Sequence, residues 1–111
     1  TVDVRKNITE FTVSAKLLTP LGIIINEILS NAMKYAFVGR GRGEIRVAAS
    51  ARDNRATIVL EDNGNGIPDH VLAGEKAGFG LMLVHTLSRQ IDGDMRIERD
   101  GGTRFTLEFN L

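Results

Sequence analysis

The stretch Glu61–Val84, EDNGNGIPDHVLAGEKAGFGLMLV, decides how this chain is read. An apolar run ends in a carboxylate, Asp62. Gly64 and Gly66 follow, two apart, and Pro68 comes next. A polar loop then leads to a second glycine pair, Gly78 and Gly80, which opens an apolar run with helical spacing. Asp62 continues the phase of Ala56, Ile58 and Leu60, so its side chain points with the core-facing set of a strand. A carboxylate turned inward needs a hydrogen-bond donor. The simpler account is an Asx turn, in which Asp62 caps the Asn63-Gly64 bend. That account leaves the close succession of Gly64, Gly66 and Pro68 unexplained.

Outward from this stretch, the bounds are ordinary. The 111 residues suffice for one domain with one core. The composition, 42% hydrophobic and 25% charged, is that of a soluble globular protein. Fourteen basic and 14 acidic residues cancel, which argues against a nucleic-acid surface. The absence of cysteine excludes disulfides and thiolate-bound metals. No apolar run approaches the ~20 residues that span a bilayer. The sequence starts without a methionine or a signal peptide and reads as a domain excised from a longer protein, one unit over residues 1–111. Twelve glycines are the informative excess, since they mark tight turns or close backbone approach.

Phe11, Val13, Ala15 and Leu17 alternate with polar residues and predict a first strand. Thr19-Pro20 predicts a helix start, with Thr at the N-cap and Pro at the first helical position, and the helix runs to about Phe37. Gly39, Gly41 and Gly43 break it. Ile45, Val47 and Ala49, then Ala56, Ile58 and Leu60, predict two strands joined by an Asp53-Asn54 turn. A second helix spans about Gly80–Ile91 and ends at Asp92-Gly93. Strands near Asp94–Arg99 and Thr103–Leu111 close the chain through Asp100-Gly101-Gly102. Hairpins imply antiparallel pairing, so the expected fold is an α/β (α+β) two-layer sandwich. Its sheet is mixed, mostly antiparallel, and covered on one face by helices.

On the first helix, Glu27, Asn31 and Lys34 fall within an arc of about 60°, with Tyr35 at its edge. Leu21, Ile25, Ile28, Leu29, Ala32 and Ala36 spread over the other side as the expected sheet-covering face. A solvated polar face would look the same. Yet asparagine prefers caps and turns, and Asn26 and Asn31 both sit mid-helix. The arc also offers oxygen ligands beside a cation, which suits a metal and phosphate. Thr103 shares phase with Phe105, Leu107 and Phe109, so its hydroxyl points inward or is an ordinary strand threonine. Adenine's exocyclic amine is a suitable donor for Asp62. The Gly78-Phe79-Gly80 turn places free N–H groups at a helix N-terminus, where anions bind, although a hinge would use the same residues. Neither the P-loop spacing nor a GxGxxG after a strand is present.

Four segments together resemble one family. NEILSNAMKYAF (26–37), DNGNGIP (62–68), GFGLMLV (78–84) and GGTRFTLEF (101–109) are similar, in order and spacing, to the nucleotide-binding boxes of the histidine-kinase ATPase domain. That superfamily includes type II topoisomerase ATPase subunits, the ninety-kilodalton heat-shock chaperone and the mismatch-repair MutL proteins. The resemblance runs from about Phe11 to Leu111 and implies the Bergerat ATP-binding fold. Lys34-Tyr35 resembles sensor histidine kinases more than topoisomerases. Glu27 four before Asn31, and a short lid from Asp69 to Ala77, resemble the short-lid group of histidine kinases.

The resemblance implies the following roles. Asn31 holds Mg²⁺ at the phosphates of ATP, and Lys34 contacts phosphate oxygens. Tyr35 lies near the adenine, whose amine Asp62 accepts with Thr103 in support through a water. Gly64 and Gly66 make room for the base. Gly78, Gly80 and Leu81 form the phosphate-facing start of the second helix. Glu27 is either a base or a ligand of the metal. The phosphoacceptor is a histidine on a separate upstream helical dimerisation domain, not His70 or His85, and a response regulator is an indirect partner. The parent is dimeric, the isolated domain monomeric and cytoplasmic, whether or not the parent is anchored in a membrane. The alternatives are an anti-sigma-type serine kinase and a non-catalytic nucleotide-binding module. The Gly39–Gly43 loop reads as a solvated turn.

Overall fold

A computed structural model describes residues 2–67 and 79–111 of the chain. The elements are β1 (Val2–Ile8), α1 (Ala15–Asn31) continued by a π-helical turn (Ala32–Ala36), β2 (Gly43–Arg52), β3 (Arg55–Asp62), α2 (Phe79–Gln90), β4 (Asp94–Arg99) and β5 (Thr103–Asn110). The five strands form one sheet in the order β1-β2-β3-β5-β4. β1 lies parallel to β2, and every other pair is antiparallel. This is the expected mixed, mostly antiparallel sheet.

The alternation seen in β2, β3 and β5 is what builds the core. Ala56, Ile58, Leu60, Phe105, Leu107 and Phe109 are all buried and meet Leu21, Ile24 and Ile28 of α1 and Leu81 and Val84 of α2, while Ile45 is buried in a second cluster with Ala36 and Phe37. The other face of the sheet carries charge. Arg46 pairs with Glu44, Arg104 with Glu61, and Arg96 with Glu108. Alternating signs across neighbouring strands let that face stand in water without helical cover.

Turn chemistry agrees with the sequence. Asp53 (φ 52°) and Asn54 (φ 63°) both adopt the left-handed region, as a two-residue hairpin between twisted strands requires. α2 ends in a Schellman motif: Gly93 N donates to Ser88 O at 2.8 Å and Asp92 N to Arg89 O at 3.0 Å. Asp92 itself takes the left-handed position, at φ 54°.

The expected first strand is not where the alternation placed it. Phe11 and Val13 do pack against the core, but from a segment that joins no ladder. Leu17 belongs instead to a helical series with Leu21, Ile24 and Ile28, spaced i, i+4, i+7, i+11. The helix therefore starts at Ala15, after Ser14, and Pro20 lies inside it and not at its first position. The strand is β1, whose residues are mostly exposed at the sheet edge. A solvated edge strand carries little apolar signal, and its parallel pairing is long-range.

The buried stripe of α1 also differs from the expected one. Ile24 is fully buried, whereas Ile25 and Leu29 are only partly so. Asn31 continues the Ile24–Ile28 stripe at i+7 and is itself buried. Glu27 and Lys34 flank that stripe, half-buried and exposed respectively. The polar arc is thus split: one of its members belongs to the interior.

Candidate functional site

The interior end of α1 meets the ends of β3 and β5. Asn31, Ala32, Tyr35 and Ala36 form one wall of a cleft, and Asp62, Ile67, Thr103 and Phe105 form the other. The π-helical turn makes the first wall possible. Its wider winding presents Tyr35 and Ala36 together with Asn31, and such single-turn features are frequent at functional sites. Sequence periodicity at 3.6 residues could not reveal it. The free volume is about 10 Å³, room for about one water. These residues are a floor, not a full enclosure.

Asp62 and Thr103 face each other in the β3–β5 register. Asp62 Oδ1 accepts from Gly64 N at 2.9 Å, so the Asx turn is real. A carboxylate has about four lone-pair sites, so acceptor capacity remains. Burial raises the Asp62 carboxyl above its ordinary pKa; the Gly64 and Thr103 backbone N–H groups and the Arg40 guanidinium pull it down, and the Glu61 charge pushes it up. Thr103 is 3% exposed, and its Oγ1 accepts from Ile67 N at 2.7 Å. Its hydroxyl proton remains to be donated.

Asn31 is 9% exposed, and its Nδ2 is buried with no hydrogen-bond partner. Such an orphan costs about 1–3 kcal/mol and calls for an explanation. An amide in a cleft wall that awaits a ligand supplies one. Lys34 is exposed, with Nζ 5.8 Å from the centre of the Tyr35 ring. Glu27 lies one turn before Asn31 on the same helix. Among the described residues, no three acidic, histidine or cysteine side chains converge on a metal-sized site. Any cation held by Asn31 and Glu27 would therefore draw its other oxygens from phosphate and water.

The glycines divide by duty. A Cβ at Gly64 would collide with the Ala36 carbonyl, so this glycine lets the loop touch the end of the π-helical turn. Gly66 needs its φ of 83°. Gly102, read in the sequence only as part of a turn and of the last box, abuts the Asp62 carbonyl at φ 139°. Gly80 is the second residue of α2, and Leu81 is 1% exposed in the core. Gly78, the Asp69–Ala77 lid and His70 lie outside the described residues; His85 is exposed on α2.

Three further residues escaped the sequence reading. Asn63 Oδ1 accepts from Glu44 N at 2.8 Å, and Asn65 binds the turn after α1 through its backbone and its amide. Arg40, in the loop read as a solvated turn, is exposed yet donates to both asparagine residues. The only sequence signal was the alternation of asparagine and glycine. A second pocket, about 200 Å³, is lined by Glu44, Glu61, Asp62 and Asp100, with Arg46 already paired to Glu44 at 2.7 Å. Its carboxylates would repel phosphate. The smaller cleft is the better candidate.

Residues 17–111 match the family described as histidine kinase-, DNA gyrase B-, and HSP90-like ATPase, and the chain belongs to it. Its relatives are sensor kinases. It is 25% identical over 112 residues to blue-light-activated histidine kinase 2 of Erythrobacter litoralis, covering 97% of this chain and 32% of that protein. It is 31% identical over 93 residues to the sensor histidine kinase PdtaS of Mycobacterium tuberculosis, covering 80% of this chain and 19% of that one. The chain thus spans about a third or less of these relatives. The histidine kinase domain of the Erythrobacter litoralis EL346 blue-light-activated kinase superposes with a TM-score of 0.89 at 22% identity, over 99% of this chain and 52% of that one. ShkA, solved in complex with AMPPNP, has a TM-score of 0.75 at 21% identity, over 97% and 25%. The chain has the α/β fold of histidine-kinase ATPase domains. No described helix is long and apolar enough to cross a membrane.

Proposed function

We propose that this chain is the single catalytic ATP-binding domain of a short-lid sensor histidine kinase. It binds Mg-ATP and presents the γ-phosphate to a histidine on a separate helical dimerisation domain, from which a response regulator is then served. The reading rests most on one observation: the unpartnered amide of buried Asn31 in a cleft shared with Asp62 and Thr103. Asp62 accepts from the adenine amine, Thr103 supports it through a water, and Tyr35 lies beside the base. Lys34 and the N–H groups at Gly78, Gly80 and Leu81 take phosphate oxygens. Asn31 would hold Mg²⁺ through its amide oxygen, leaving Nδ2 to donate to a phosphate oxygen, and Glu27 would be either a second ligand or the base that polarises the acceptor. When bound, the ion neutralises phosphate charge; the chain's own contribution is positioning. The parent is a dimer with this domain in the cytoplasm, and the domain alone is a monomer.

The test is a labelling experiment with γ-labelled ATP. The 111-residue chain binds ATP without labelling itself. A helical domain bearing an exposed histidine, added in trans, becomes labelled. Acid-labile phosphate on the chain alone, lost in His70→Ala or His85→Ala, would overturn the reading.

A further inference from the structure

The loop after Asp62 is fastened to the end of α1 by a compact clasp. Asn65 N donates to Ala36 O at 2.7 Å, and Asn65 Nδ2 donates to Val38 O at 2.9 Å. Arg40 Nε donates to Asn65 Oδ1 at 2.9 Å, and Arg40 Nη1 to Asn63 O at 3.1 Å. The amide of Asn65 is therefore used at both ends, and Arg40 fixes which way it points. Gly64 completes the fit, because its missing side chain leaves room for the Ala36 carbonyl. Asn63 ties the same loop to β2 by a reciprocal pair with Glu44.

From this geometry we infer that Asn65 and Arg40 are positioning residues that set the separation of the two cleft walls. One wall is the π-helical turn that carries Asn31 and Tyr35; the other begins at Asp62. The clasp crosses between them at Ala36 and Asn63, next to both. Neither Asn65 nor Arg40 lines the cleft. They act by holding Asp62 at a fixed distance from the ring-binding wall, which decides how well an amine is told from a carbonyl. A planar, forked guanidinium suits this task, since it reaches a side-chain oxygen and a backbone oxygen at once. The inference rests on the nucleotide reading above and adds the residues that make it selective.

The experiment measures ADP and GDP dissociation constants by calorimetry, and melting temperature without ligand, for the 111-residue chain and its variants Asn65→Ala, Arg40→Ala, Arg40→Lys and the double alanine. Each alanine variant weakens ADP binding about two- to tenfold, the scale of one or two lost hydrogen bonds. GDP binding changes less, so the ADP/GDP ratio narrows. Arg40→Lys recovers part of the loss, and the double variant loses less than the product of the singles. Lower melting with unchanged ADP affinity and ratio would make the clasp purely structural and overturn the inference. Both residues are exposed, and either single variant carries the test if the other fails to fold. Failure of the unmodified chain to bind ADP would overturn the nucleotide reading and this inference together; tight binding by all variants alike would overturn the clasp alone.

Discussion

Asp62 and Thr103 are register partners across β3 and β5, and each anchors the loop between them and the cleft: Asp62 Oδ1 accepts from Gly64 N, and Thr103 Oγ1 accepts from Ile67 N. Two side chains on adjacent strands thus hold both ends of the Asn63–Gly66 bend, while the bend reaches across to α1. The pair shapes the cleft before any ligand arrives.

The hydroxyl of Thr103 accepts from the buried Ile67 N–H at 2.7 Å. Thr103→Val keeps the shape and removes the acceptor. We expect a loss of about 1–3 kcal/mol in urea unfolding, the cost of a stranded buried donor. Thr103→Ser should restore most of it. A valine variant as stable as the parent would show that the loop finds another partner.

Base selectivity follows from Asp62. Adenine offers an amine where guanine offers a carbonyl, and a guanine carbonyl would leave the remaining acceptor capacity of half-buried Asp62 unmet, at a cost of ~1–3 kcal/mol. ATP and ADP should therefore bind about tenfold or more tighter than GTP and GDP. Equal affinities by calorimetry would refute the Asp62 assignment.

The pH dependence of stability has an unusual sign at Asp62. Its folded pKa is raised, chiefly by burial, so the folded state holds its proton to higher pH than the unfolded state does. Stability from this group is therefore lost, not gained, as pH rises from the ordinary carboxylate range through the raised value. Asp62→Asn, which still accepts from Gly64 N, should remove that slope and melt no lower than the parent at neutral pH. A lower melting temperature there would mean that the charged form is favoured in the fold.

Asn31→Ala should leave the ligand-free fold intact, because Asn31 Nδ2 makes no bond that could be lost. The relief of a stranded donor offsets the small void left behind, so the stability change stays within about 1 kcal/mol. Mg²⁺-dependent strengthening of ATP binding should vanish. Glu27→Gln is the companion: weakened Mg²⁺ dependence marks a ligand, whereas intact binding with lost transfer marks a base. An Asn31 variant that unfolds outright would assign the residue to structure alone.

A methyl group at Gly64 meets the backbone carbonyl of Ala36, which cannot swing away as a side chain could. Gly64→Ala should destabilise the chain by about 1–3 kcal/mol and weaken nucleotide binding in step. Gly41→Ala, where a Cβ meets nothing, is the control and should be close to neutral.

The sequence by itself determined the strands and turns whose signals are local. Alternation in Ile45–Ala49, Ala56–Leu60 and Thr103–Phe109, with left-handed Asp53-Asn54 between the first two, identifies two hairpin partners without reference to the rest of the chain. It also determined the direction of Asp62 and Thr103, because a period of two fixes the face of every residue in a strand. Three matters were decided only by tertiary structure. The edge strand β1 exists because β2 offers it a partner, and its own residues bury little. The start of α1 was settled by burial of Leu17, Leu21 and Ile24 against the sheet, which overrode both the alternation of Phe11–Leu17 and the N-terminal preference of Pro20. The Asn65–Arg40 clasp joins segments more than 20 residues apart, and no local pattern encodes a contact of that kind.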